Sequence, residues 1–152
     1  MMILHFGVND VRYAGQLASK QQRRMTRSQR GYERNKSTGQ VMDYLESKYG
    51  LIEAFIEEEK DLIASIIEKA AVKAIKNDTK MTIPASDCRK LESLFKESII
   101  GQRFDGKVPG VPVHAAIVGV SHKYLHPFAK RAARPSFMDT DLFRRNFKVW
   151  SE

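Results

Sequence analysis

With a single cysteine, Cys88, the chain cannot form an internal disulfide or a multi-cysteine zinc site. Its stability has to come from packing or from partners. No stretch approaches the roughly 20 apolar residues that a bilayer crossing needs, so no membrane role is expected. Met1 to Val8 lack the basic start and longer apolar run of a secretory signal, and synthesis and use in the cytoplasm are the expectation. No repeat of about 20 to 50 residues is present, which argues against a solenoid. Gly101, Gly106, Gly110 and Gly119 follow neither the phosphate-loop nor the dinucleotide pattern, so nothing points to a nucleotide.

What is present is a chain of 152 residues, the size of one ordinary domain, with 42% apolar and 29% charged residues, as in soluble globular proteins. A formal charge of +8 favours an anionic neighbour: nucleic acid, a membrane face or an acidic protein surface. The charge is segregated along the chain. Arg12, Lys20, Arg23, Arg24, Arg27, Arg30, Arg34 and Lys36 outweigh Asp10 and Glu33 near the start. Between residues 40 and 80 acids outnumber bases, and from Gly101 onward bases prevail again.

Apolar periodicity predicts a mainly α fold class with minor β. A short strand is expected in Met2–Val8, broken at Gly7, whose partner could lie on another subunit. Residues 9–36, poor in large apolar side chains and rich in Gln, Arg and Ser, read as an extended basic arm that orders on binding. Ser37 or Thr38 can cap a helix carrying Val41, Met42, Leu45 and Tyr49, and Gly50 can stop it. Ile52, Phe55, Ile56, Leu62, Ile63, Ile66, Ile67, Ala70, Ala71 and Ala74 then form one stripe of a single long amphipathic helix ending at Asn77 and Asp78. After Pro84, Ser86 and Asp87 can cap a further helix through Leu91, Leu94, Phe95 and Ile99, stopped by Gly101.

Turns are expected from Phe104 to Pro112, and from Pro112 either a short helix through Ile117 or a strand. Residues 122–135 read as a basic irregular tail, and Leu142 to Trp150 as helix or mixed structure. In domain terms, 1–36 is a short strand plus an extended arm. Residues 37–152 are a single small mainly helical domain with an extended C-terminal region.

Few residues of the chain are placed for chemistry. His122 and His126 have the four-residue spacing of two ligands on a helix, but Pro127 disturbs that helix and no third ligand is near. His5 and His114 are isolated, and Cys88, although at a predicted helix start where the dipole lowers a thiol pKa, has no resolving cysteine or nucleophile motif. The run Glu57, Glu58, Glu59 and Asp61 should fan outwards on a helix and form a solvated face or a dock for a basic partner. No catalytic residue, cofactor or metal is therefore expected. The arginine-rich arm could bind nucleic acid or thread across acidic neighbours; its only aromatics are Tyr13 and Tyr32, and no nucleic-acid-binding motif surrounds them.

Residues 134–150 read Arg-Pro-Ser-Phe-Met-Asp-Thr-Asp-Leu-Phe-Arg-Arg-Asn-Phe-Lys-Val-Trp, which resembles a closing motif of small virion proteins of tailed bacteriophages: RPSF, then DTG, an aromatic, F and W. GVPVHAAIVGVSHKYLHPF at 110–128 and STGQVMDYLESKYG at 37–50 are similar to the same group, so the resemblance covers most of the chain after residue 37. It departs at Asp141, where the pattern has glycine, which questions a tight turn there.

The resemblance implies a multi-copy structural protein in the tail or baseplate of a phage particle of the contractile-tailed kind, made in the host cytoplasm and carried in the virion. It would staple neighbouring subunits through its termini. A neck or head-to-tail joining protein and a basic nucleic-acid-binding protein are the alternatives. Its partners would be tail, sheath, baseplate or neck subunits. Arg23, Arg24, Arg27, Arg30 and Arg34 would grip an anionic surface. Phe137, Phe143, Phe147 and Trp150 would either anchor an interface or complete the chain's own core.

Overall fold

A computed structural model describes residues 2–12, 37–120, 132–138 and 141–152. Strand β1 is Leu4–Val8, followed by helices α1 (Thr38–Tyr49), α2 (Leu51–Glu58), α3 (Lys60–Asn77), α4 (Ala85–Ile100), α5 (His114–Ile117) and α6 (Leu142–Asn146), and then by strand β2 (Phe147–Ser151). The fold is mainly α with one small sheet, in line with the expected class.

The ends of α1 follow its sequence signals. Ser37 accepts from the Gln40 amide while its own N–H donates to Gln40 Oε1, a capping box contributing about 1 kcal/mol. Gly50, at φ 58°, sends its N–H to Glu46 O and redirects the chain into α2, a conformation glycine adopts without a Cβ clash. The carboxylate of Glu46 then accepts from the amides of Ile52 (2.6 Å) and Glu53 (3.2 Å), satisfying donors at the start of α2 that no earlier turn can reach.

The single long helix expected over 52–74 is two helices, divided at Glu59, whose φ of −102° and ψ of 16° depart from helical values. The apolar stripe has a gap there, because Glu59 and Lys60 stand where the spacing from Phe55 and Ile56 calls for apolar residues. Asp78, at φ 50°, closes α3 as the sequence suggested. The start of α4 differs from expectation: Pro84 is the cap position, and Asp87 and Cys88 donate to its carbonyl, so Ser86 and Asp87 lie in the first turn. The Asp87 amide, which a capping side chain would otherwise take, is satisfied by the Pro84 carbonyl at 2.9 Å. At the other end Gly101 sits at φ −76°, and the left-handed residue is Gln102.

Residues 101–111 turn as expected, and after Pro112 the helical alternative is realised, as α5. The C-terminal stretch is mixed: one short helix, α6, then β2. Strands β1 and β2 run antiparallel with Leu4 opposite Ser151, Phe6 opposite Val149 and Val8 opposite Phe147. The strand at the start of the chain thus pairs within its own chain, where the sequence had left a partner on another subunit open.

The core gathers on α4. Phe95 is fully buried, stacked on Phe147 at 3.8 Å and packed edge-on to Phe55 and Phe143 at 5.2 and 6.2 Å. Leu51, Leu91 and Ile99 fill the space around these rings.

Candidate functional site

The described residues that flank two basic stretches of sequence, 13–36 and 121–131, are held together by hydrogen bonds. At the first, Arg12 and Ser37 form an antiparallel bridge. The fully buried Thr38 locks it: its hydroxyl donates to Asn9 O (2.6 Å) and accepts from the Val11 amide (2.9 Å), and its own amide donates to Val11 O. Asp10 accepts from the Gly39 amide, and hydrogen bonds from Ser37 and then Gly39 hold its carboxyl below the usual carboxylate range. Most of the expected basic arm, residues 13–36, lies outside the described residues; the described residues on either side of it, Arg12 and Ser37, are paired.

At the second, Arg134 Nη2 donates to Val120 O at 2.8 Å and the Arg134 amide to Ala116 O, while Ser136, buried, accepts from the Val113 amide. This brings the Arg-Pro-Ser-Phe motif onto α5, beside Val120.

The charge divides along these lines. Of 26 basic and 18 acidic residues, 13–36 holds 7 and 1, 121–131 holds 3 and 0, and 139–140 holds 0 and 1. The remaining 16 of each belong to the described residues, which are therefore formally neutral, and the +8 is the sum over residues 13–36, 121–131 and 139–140.

Within the body the acidic run behaves unlike the expected solvated fan. Arg103 reaches Glu58 and Glu59, each at 2.9 Å, and Lys107 reaches Glu58 at 2.7 Å. The break at Glu59 turns both carboxylates toward the same cation. Burial, the largest single influence, pushes the Glu58 carboxyl up, but Lys107 and Arg103 together outweigh it and hold it below its ordinary value. Glu57, by contrast, pairs with Lys60 on the exposed side. The basic partner that this run docks is its own chain's 103–107 turn.

Of the expected contact residues, Arg23, Arg24, Arg27, Arg30 and Arg34 lie outside the described residues, as do His122 and His126. Phe143 and Phe147, 2% and 0% exposed, are core residues, and neither can anchor a neighbour without opening the ring cluster. Phe137 is half-buried against Tyr49, ring centroids 5.4 Å apart. Trp150 alone projects, 42% exposed on the outer face of the sheet, stacked on His5 at 5.1 Å and lying over Gly7 so closely that a Cβ there would stand 2.7 Å from the indole.

Asp141 takes a left-handed φ of 62° and holds Arg144 and Arg145. The turn that glycine would make in the resembled motif is made here by an aspartate whose charge is engaged; Arg144 first, against some desolvation, keeps its carboxyl low. Cys88 is buried, and burial, followed by the charges of Asp87 and Glu92, pushes its thiol up, opposite to what a nucleophile at a helix start needs.

Sequence reasoning missed Glu92, buried in mid-α4, which accepts from the Val149 amide and pairs with Lys96 and Lys148. Its place at a core position among Cys88, Leu91, Phe95 and Ile99 was the available signal. Among the described residues no group of three potential ligands could hold a metal ion, and no helix is long and apolar enough to cross a membrane. No protein-family model, curated protein or solved structure matches the chain.

Proposed function

We propose that this chain is a structural component of a tailed-phage virion, a multi-copy tail or baseplate protein that holds neighbouring subunits together and performs no catalysis of its own. The supporting observation is the division of charge: the described residues, formally neutral and with their own core, flank two basic stretches, and those on either side of 13–36 are held together by the Thr38 and Asp10 hydrogen bonds. A segment of net charge +6 held at both ends can lie across an acidic neighbour while the body keeps its fold. The resemblance of residues 37–50, 110–128 and 134–150 to small phage virion proteins supplies the setting.

Arg12 and Ser37 are already paired, so residues 13–36 can be replaced by a two-glycine link without displacing either end. The shortened protein should fold normally and fail to enter particles. Normal incorporation would overturn the stapling role. A neck or head-to-tail position is the second reading within the same class, and labelling the protein on particles would separate the two by which end carries it. The concentration of charge in these segments equally supports nucleic-acid binding. That reading requires an affinity that falls steeply with salt and is abolished by the same replacement.

A further inference from the structure

The two edges of the small sheet are finished differently. Ile3 and Glu152 exchange both backbone hydrogen bonds, and the antiparallel ladder alternates from there, with Asn9 donating to Asn146 O at its far end. The N–H and C=O groups of Leu4, Phe6 and Val8 therefore point away from β2, and among the described residues they have no hydrogen-bond partner. On β2 the corresponding edge is closed: the outward amide of Val149 donates to the Glu92 carboxylate and that of Phe147 to Arg144 O.

Open edges are ordinarily protected by lysine, proline or a bulge, because they template pairing with another strand. Met2–Val8 contains no proline and no Lys, Arg, Asp or Glu, and the core-side residues Leu4, Phe6 and Val8 are left only half-buried.

We propose that this edge of β1 pairs with the same edge of a second copy of the chain, antiparallel and centred on Phe6, to form a four-stranded sheet. The strand matches itself in that register. Leu4 faces Val8 of the other copy and Phe6 faces Phe6, so every outward N–H and C=O at these positions gains a partner and the apolar row continues across the new sheet. On the outer face His5 comes opposite Gly7, which the indole of Trp150 already covers, so the incoming imidazole meets an aromatic ring and no two like charges are opposed. The groups around His5 within its own chain are Trp150, whose indole extends over Gly7 of β1, and Glu152, the residue opposite Ile3 on the β2 side. This inference uses only the strand's edge and stands or falls separately from the virion assignment.

Two single-cysteine additions to the full chain, Leu4→Cys and Val8→Cys, test partner and register together. Residues directly opposite in such pairs have Cα atoms about 5.5 Å apart, within the range of about 4.4–6.8 Å that a disulfide spans. The wild-type protein should sediment at twice the chain mass. Mild oxidation should crosslink an equal mixture of the two variants while leaving either variant alone uncrosslinked, since position 4 lies opposite position 8 and not itself. Circular dichroism confirms that each variant is folded.

A monomer at all concentrations with no crosslink in the mixture would overturn the proposal, as would crosslinking of either variant alone, which requires another register. Protection of the Leu4, Phe6 and Val8 amides from hydrogen exchange only in the presence of a different protein would likewise overturn it, in favour of a foreign strand.

Discussion

The middle of α4 and the last two turns of α3 carry similar apolar spacing and meet opposite fates. Phe95 meets rings from α2, α6 and β2, and Leu91 and Ile99 beside it are buried. From Ala71 to Asn77 no residue is buried, Val72 and Ile75 are 43% and 81% exposed, and Lys69, Lys73 and Lys76 stand beside them in solvent. Apolar spacing thus reports that a segment can be helical. What it packs against is decided by elements distant in sequence, and the second half of α3 lacks one among the described residues.

The contrast can be broken most forcefully at its packed end. Phe95→Ala removes the ring that four other phenylalanines contact, and a cost of about 3–5 kcal/mol is expected in denaturant unfolding. A cost below that of an exposed substitution would mean the ring cluster is not the centre of stability.

Next in size, Arg103→Met should cost about 1–2 kcal/mol near neutral pH, less than for a fully buried pair because the guanidinium is partly exposed. Glu58, whose carboxyl is depressed in the wild type, contributes stability that is present above its unfolded pKa and lost as pH falls through the lower folded value. The gap between variant and wild type should therefore be widest near neutrality and narrow in acid; a gap independent of pH would show that Arg103 acts only through packing.

Asp141→Asn keeps a side chain that tolerates the left-handed conformation but removes the charge facing Arg144 and Arg145. A loss of about 1 kcal/mol is expected, shrinking toward low pH, whereas Asp141→Ala should cost more because it adds backbone strain. Equal losses in the two variants would show that the conformation at 141 contributes nothing. Smallest of all, Ile75→Gln should stay within about 0.5 kcal/mol of wild type. A larger loss in the isolated protein would show that the exposed stripe is packed in solution.

The helices were legible where local chemistry marks them. Ser37 with Gln40 and then Gly50 delimit α1 within a few residues of chain, and Asp78 ends α3. The sheet was not, because Leu4–Val8 finds its partner at Phe147–Ser151 and nothing in either short run names the other. Leu142–Trp150 was ambiguous for a physical reason: Phe143 and Phe147 have helical spacing, while Phe147 and Val149 have strand spacing, and the chain uses one and then the other.

The acidic run misled because the cation that draws Glu58 and Glu59 inward, Arg103, stands more than forty residues away. Of the candidate contact residues, the sequence identified the basic segments by composition, but it could not tell Trp150 from Phe147, since a helix would put residues three apart on one face and only the strand that forms here puts them on opposite faces.

The bridge at Arg12 and Ser37 and the pairing of β1 with β2 together mean that Leu4–Val8 is held to the body by more than peptide linkage. One protease nick between residues 13 and 36 should leave a two-fragment complex that migrates as a single particle in native conditions and separates only in denaturant. The protein is thus a natural candidate for splitting into complementing halves at that point.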